Sequence, residues 1–315
     1  MFSKVVIILM AVCSIGSPVL FAQRLVTSYN LFTGLAAGTV KCLLVEPDGK
    51  VWYGAKDRGA GWFDGEKWHN INSKTTKGFG GAPVRSITRD RKGNLWFACN
   101  GGLSRFDGKK WKLFTSANGL PADNVFYALE DSKGILWVAT RQGVAYSDGG
   151  LFNVLTTKDG LPDDYVFWIE EDNAANLWFG TKAGGAARFD RKNWTVFNKD
   201  NGLGANEVRM ILKDRSGHLW FATRFGGVTR FDGTHWTTFK PKDGLVNDMV
   251  WGMAEDSTGG MWFNTKHGTS LFKKGKWKSF TVKEGLLSND VNCTAVAPDG
   301  KIWIGTEEGI NVLKY

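Results

Sequence analysis

Asp172-Asn173-Ala174-Ala175-Asn176-Leu177-Trp178-Phe179-Gly180-Thr181 reads as a polar turn running into a short apolar strand. Its tryptophan is one of seven, Trp52, Trp96, Trp137, Trp178, Trp220, Trp262 and Trp303, which divide the chain into units of 44, 41, 41, 42, 42 and 41 residues. A fixed period of about 40 to 45 residues is the mark of four-stranded blades stacked round an axis. The expected fold is therefore all-β, a seven-bladed propeller of four-stranded antiparallel blades.

Each unit also carries a valine twelve residues before its tryptophan: Val40, Val84, Val125, Val166, Val208, Val250 and Val291. The valine opens strand A, and a turn such as Asp90-Arg91-Lys92-Gly93-Asn94 leads into strand B, which holds the tryptophan. Strand C follows, as in Val228-Thr229-Arg230-Phe231. Asp-Gly pairs at 64–65, 107–108, 148–149 and 232–233 then make the tight hairpin to strand D, because they tolerate the positive φ such turns require. Strand D bears a second aromatic series, Trp68, Trp111, Phe152, Trp194, Trp236 and Trp277. Both series read as wedge-filling packing, since they recur in nearly every unit. The last unit ends after strand C, and the segment from Tyr29 to Leu35 supplies the missing strand. Aligning Tyr29-Asn30-Leu31-Phe32-Thr33 with Trp111-Lys112-Leu113-Phe114-Thr115, and Gly34-Leu35 with Gly119-Leu120, gives a three-plus-one closure.

Residues 1–22 read as a signal peptide, with Lys4 before the apolar run Val5 to Val12, Gly16 and Pro18 breaking it, and cleavage after Ala22. Cys13 raises a lipoprotein alternative, although Val12 is bulky for such a site. Residues 23–315 form a single propeller domain, expected in the periplasm or outside the cell. The formal net charge of +9 favours anionic partners; nucleic acid is not expected for an exported protein. Cys42, Cys99 and Cys293 read as buried small hydrophobes rather than a disulfide framework.

The run Asp172 to Thr181, then Arg188-Phe189-Asp190, then Phe197 through Gly202-Leu203 to Val208, resembles the two-component regulator propeller repeat. All seven units match it, over residues 25 to 315. The resemblance implies a periplasmic sensor of the kind found in hybrid two-component systems, often responding to oligosaccharides. With one propeller and no linking β-sandwich, membrane helix or kinase, this chain is expected to pass its signal to a separate partner, a membrane sensor kinase or another periplasmic protein.

In a propeller the A–B and C–D hairpins share one face, and the B–C and D–A loops share the other, where ligands usually bind. Two rings of positions line that second face. The outer ring, four residues after each tryptophan, is Lys56, Asn100, Arg141, Lys182, Arg224, Lys266 and Glu307. The inner ring, one residue after each valine, is Lys41, Arg85, Phe126, Phe167, Arg209, Trp251 and Asn292. Eight of these 14 are Lys or Arg, far above their share of 40 in 315 residues, so the rings read as a cationic funnel with aromatic platforms. Such a funnel suits an anionic, ring-containing ligand. The acids Asp123, Asp163, Asp164, Glu207, Asp248 and Asp290 lie at the same end and leave open that the cations are simply neutralised there. No cofactor or metal is expected, because HExxH, paired CxxC, GxSxG and P-loop patterns are all missing from the sequence. Two alternatives to ligand sensing remain. One is a protein-interaction scaffold using the same face. The other is an enzyme in which His267 and Glu308 act as base and acid; this resembles the streptogramin lyases, whose repeat is similar in style.

Overall fold

The computed structural model describes residues 24–314. The signal-peptide reading, its cleavage after Ala22, Cys13, and the two end residues of the domain span fall outside those residues. The described chain forms seven four-stranded antiparallel sheets and short 3-10 turns. Six sheets are consecutive in sequence; the seventh joins Arg24–Tyr29 to the three C-terminal strands, in the order that closes the ring. None of its helices is long and apolar enough to cross a membrane.

The closure has a different register from the one the sequence suggests. Tyr29 pairs with Ile310 in the way that Phe114 pairs with Leu103, so Tyr29 is the counterpart of Phe114 rather than of Trp111. A bulge between Leu25 and Thr27 shifts the start of the strand, and Leu25 opposite Leu313 takes the place held by Trp111 opposite Phe106. Leu31–Thr33 is a 3-10 turn that leaves Phe32 97% exposed. Gly34-Leu35 is the anchor that aligns correctly. In six blades a glycine with positive φ ends this turn and the following leucine is buried, Leu35, Leu120, Leu161, Leu203, Leu245 and Leu286. The glycine is required twice over at Gly244, where φ is +114° and a Cβ would sit 2.6 Å from the Trp277 ring of the next blade.

Strand A lies innermost, and its valine is fully buried in every blade. The strand-B tryptophans sit between blades at 0–7% exposure. Burying an indole leaves its N–H to be satisfied, and in blades 1 to 6 the residue six positions earlier does so. Glu46, Asp90, Asp131, Asp172, Asp214 and Asp256 accept from their tryptophans at 2.5–3.0 Å. The aspartates also accept backbone N–H groups of the A–B turn, as Asp172 does from Ala174 and Asn176, so one carboxylate fixes both the turn and the wedge. In the seventh blade this position is Ala297.

Candidate functional site

Both rings of the funnel face have a structural origin. In all seven blades the A–B pairing slips immediately after the valine, leaving one unpaired residue in a β-bulge. That residue is the inner-ring member: Lys41, Arg85, Phe126, Phe167, Arg209, Trp251 or Asn292. A bulge re-aims a side chain that the ladder would otherwise direct into a sheet face. The outer-ring residues follow strand B. Lys56, Arg141, Lys182, Arg224, Lys266 and Glu307 each donate a backbone N–H to the residue just before the valine, at 3.0–3.3 Å. In these six blades one backbone hydrogen bond thus ties the two ring positions together.

The inner ring is linked from blade to blade. The Arg85 guanidinium lies 4.6 Å from the Phe126 ring centroid, and Phe126 meets Phe167 edge-on at 5.2 Å. Arg209 covers Phe167 at 4.2 Å and reaches Trp251 at 5.4 Å. Across the closure, Lys41 Nζ donates to Asn292 Oδ1 at 2.9 Å. Burial pulls the Lys41, Arg85 and Arg209 side chains below their ordinary pKa values. Phe167, read from sequence as a platform, is only 5% exposed and serves as the floor beneath Arg209.

Tyr165 is the residue that sequence reasoning missed. It stands in the D–A loop just before Val166, with its ring 5.0 Å from Phe126 and 4.9 Å from Phe167. Lys182 Nζ lies 5.0 Å from its centroid and the Arg141 guanidinium 5.8 Å. Blades 2 to 5 therefore gather Arg85, Arg141, Lys182 and Arg209 around one aromatic group.

Among the described residues, only Arg209 of those four cations is paired with an acid at this end. Asp123 accepts from the Ser116 N–H and Asp164 from Thr157, while Asp163 holds the N–H groups of Tyr165 and Ala183. These carboxylates fix loop backbone. Glu207 does pair with Arg209 and Arg224, and Asp290 with Lys266. Among the described residues Arg85, Arg141 and Lys182 have no carboxylate partner; Arg85 bonds Asn100 and the Val125 carbonyl. The opposite half of the mouth is mixed in charge, with Lys41, Lys56 and Lys266 near Asp290 and Glu307.

The alternative enzymatic residues, His267 and Glu308, lie in the loops after strand B of blades 6 and 7. His267 is exposed and its Nδ1 accepts from Asn247 at 3.2 Å, and no hydrogen bond or ion pair joins it to Glu308 among the described residues. No group of three or more His, Cys, Asp or Glu among the described residues could hold a metal ion. Cys42, Cys99 and Cys293 are unpaired thiols.

Residues 78–101, 119–142, 202–225 and 285–308 match the two component regulator propeller family. Four of the seven blades thus carry a stretch that matches this repeat. Each matched repeat runs from the D–A loop to one residue past the outer ring, so it spans both ring positions of its blade. No curated protein matches the chain. Among solved structures, the repeats superpose on an extracellular domain of a hybrid two component system from B. thetaiotaomicron with a TM-score of 0.78 and 22% identity. That match covers 89% of this chain and 39% of the other. A second B. thetaiotaomicron extracellular domain, described as belonging to a one component system, gives 0.75 at 17% identity, over 92% of this chain and 40% of the other. The chain thus spans about two fifths of the length of these extracellular domains. A catalytically inactive virginiamycin B lyase from Staphylococcus aureus with quinupristin gives 0.71 at 17% identity, covering 93% of this chain and 99% of the lyase. At these identities the likeness concerns the fold.

Proposed function

We propose that the protein is an exported, sensor-like binding propeller that recognises an anionic oligosaccharide on its funnel face and passes the signal to a separate protein. The carrying observation is the cluster of Arg85, Arg141 and Lys182 around Tyr165 and Phe126, cations without carboxylate partners beside half-buried rings. Carboxylate or sulfate groups pair with the cations, and a sugar face stacks on Tyr165. Arg209, Arg224 and Trp251 form the far wall of the same half. Lys41, Lys56 and Lys266 lie on the charge-balanced half and contribute less. The repeat family and the fold of two-component extracellular domains support the sensor reading and a location outside the cytoplasm.

The test is a calorimetric titration with neutral, uronic and sulfated oligosaccharides at low and high salt. Acidic sugars should bind, with affinity falling as salt rises. Arg141→Ala/Lys182→Ala should weaken them by about tenfold, which corresponds to about 1.4 kcal/mol. Equal binding of neutral sugars, or unchanged affinity in the double variant, would remove the basis of this assignment.

A further inference from the structure

The hairpin face, opposite the funnel, has a groove at the seam between blades 7 and 1, with a volume of about 550 Å³. Tyr29, Phe63, Ala297, Pro298, Lys301 and Trp303 line it, with Asp48 and Asp299 at the rim. Two polar ties found at other seams are missing here. The carboxylate that accepts the tryptophan N–H in blades 1 to 6 is Ala297. The turn residue after it, whose N–H reaches a glutamate of the next blade from Arg91, Ser132 and Arg215, is Pro298, which has no N–H. The glutamate position itself is Val45. The corresponding groove between blades 1 and 2, where Glu46 accepts from Trp52, is about 350 Å³.

As a result, Trp303 is the strand-B tryptophan whose indole N–H has no acceptor among the described residues, and it faces the groove. It is held there by Tyr29, stacked at 5.9 Å and 3°, and by Phe63 at 6.1 Å. Val26, beside them, is 51% exposed. Lys301 contacts Asp299 at 2.5 Å and lies near Tyr29.

We propose that this groove docks a segment of a partner polypeptide in which an aspartate or glutamate, flanked by an apolar residue, accepts the Trp303 N–H in place of the missing seventh carboxylate. The donor defines the acceptor, since all six equivalent indoles in this chain bond carboxylates. Lys301, in contact with Asp299, stands at the entrance, and Val26 with the aromatic wall covers the apolar neighbour. This site lies on the other face from the funnel and stands independently of the ligand proposed there.

Indole ¹⁵N–¹H spectra of the protein test it, with Trp303 assigned by its loss in Trp303→Phe. In the free protein the Trp303 indole proton should exchange with solvent faster than that of Trp178. Acetyl-Leu-Glu-Leu-amide should shift the Trp303 resonance, and the Gln counterpart should bind about tenfold more weakly. Ala297→Asp should abolish the shift by supplying an internal acceptor, and Lys301→Ala should weaken it should the first variant fold poorly. Slow Trp303 exchange in the free protein would mean that residues 1–23 or a second copy already covers the groove, and would overturn the proposal. So would no shift with the Glu peptide, or equal binding of both peptides.

Discussion

Replacing Asp172 by asparagine isolates the bond between turn and tryptophan. Asp172 Oδ1 accepts from Ala174 and Asn176 backbone N–H groups, both at 2.9 Å. Its Oδ2 accepts from Trp178 Nε1 at 2.8 Å and Asn176 Nδ2 at 2.9 Å. Asparagine keeps the shape and only one acceptor oxygen. Whichever way its amide turns, two of the four donors face an NH₂ group. With its oxygen toward the turn, the Trp178 indole N–H is left unsatisfied in a residue 1% exposed. A buried donor without a partner costs about 1–3 kcal/mol, and a second, partly exposed bond adds about 0.5–1 kcal/mol. The expected loss is about 3 kcal/mol, or a fall in Tm of about 5 °C for a domain of this size. Asp190→Asn is the control. Asp190 is exposed in a C–D hairpin, and its Oδ1 accepts the Lys192 and Asn193 backbone N–H groups at 2.9 and 2.7 Å, so the amide can retain both and loses only the long, exposed 3.3 Å bond from Asn193 Nδ2 to Oδ2. That change should cost less than about 0.5 kcal/mol. Urea unfolding followed by near-ultraviolet circular dichroism measures both. Equal midpoints for the two variants would refute the view that the carboxylate–indole bond, rather than tryptophan packing alone, holds the wedge.

Two further outcomes follow from the environment of buried groups. Burial pushes the Cys99 and Cys293 thiols up to about 12 and raises that of Cys42 well above its ordinary value, so none of these three thiols should react with a disulfide reagent at neutral pH until the protein unfolds. Rapid labelling of native protein would contradict their buried placement. Burial raises the Asp131 carboxyl, but N–H groups of Ile135 and Lys133, the Trp137 indole and Arg191 more than offset it, leaving it below the usual carboxylate range; Asp90 is depressed in the same way through Asn94 and Trp96. A depressed folded-state pKa means stability that is present above the unfolded value of about 4 and lost as pH falls through the folded one. Acid unfolding should therefore steepen below about pH 4, and Asp131→Asn should flatten that loss; identical acid profiles would exclude the linkage.

What could be read from the sequence was whatever the period repeats. Tryptophan spacing, the buried valines and the three-plus-one closure are each dictated by positions occupied alike in seven units. The carboxylate six residues before six of the seven tryptophans was nearly as periodic and could have been found the same way. The closing strand was misread by three residues because Tyr29 and Phe32 are both aromatic and either could head the match, whereas only contacts show that Phe32 points to water. Tyr165 gave no signal, since its position is held by Thr39, Pro83, Asn124, Glu207, Met249 and Asp290 in the other blades. Nor does charge order along the chain reveal that Asp123, Asp163 and Asp164 spend their oxygens on loop N–H groups and leave nearby cations unneutralised.

These cases share a cause. In a ring of equivalent blades, a residue that recurs is answering a packing demand that recurs with it. Selection for a particular ligand acts on positions where the blades differ, because a ligand without seven-fold symmetry meets each blade differently. The inner ring shows this directly: one bulge geometry presents lysine, arginine, phenylalanine, tryptophan and asparagine in turn. At the seam between blades 7 and 1 the departure is subtractive, with Ala297, Pro298 and Val45 removing ties that other blades keep. The seam keeps Trp303 packed between Tyr29 and Phe63, an arrangement that holds its indole N–H open to the groove for an acceptor from outside the ring.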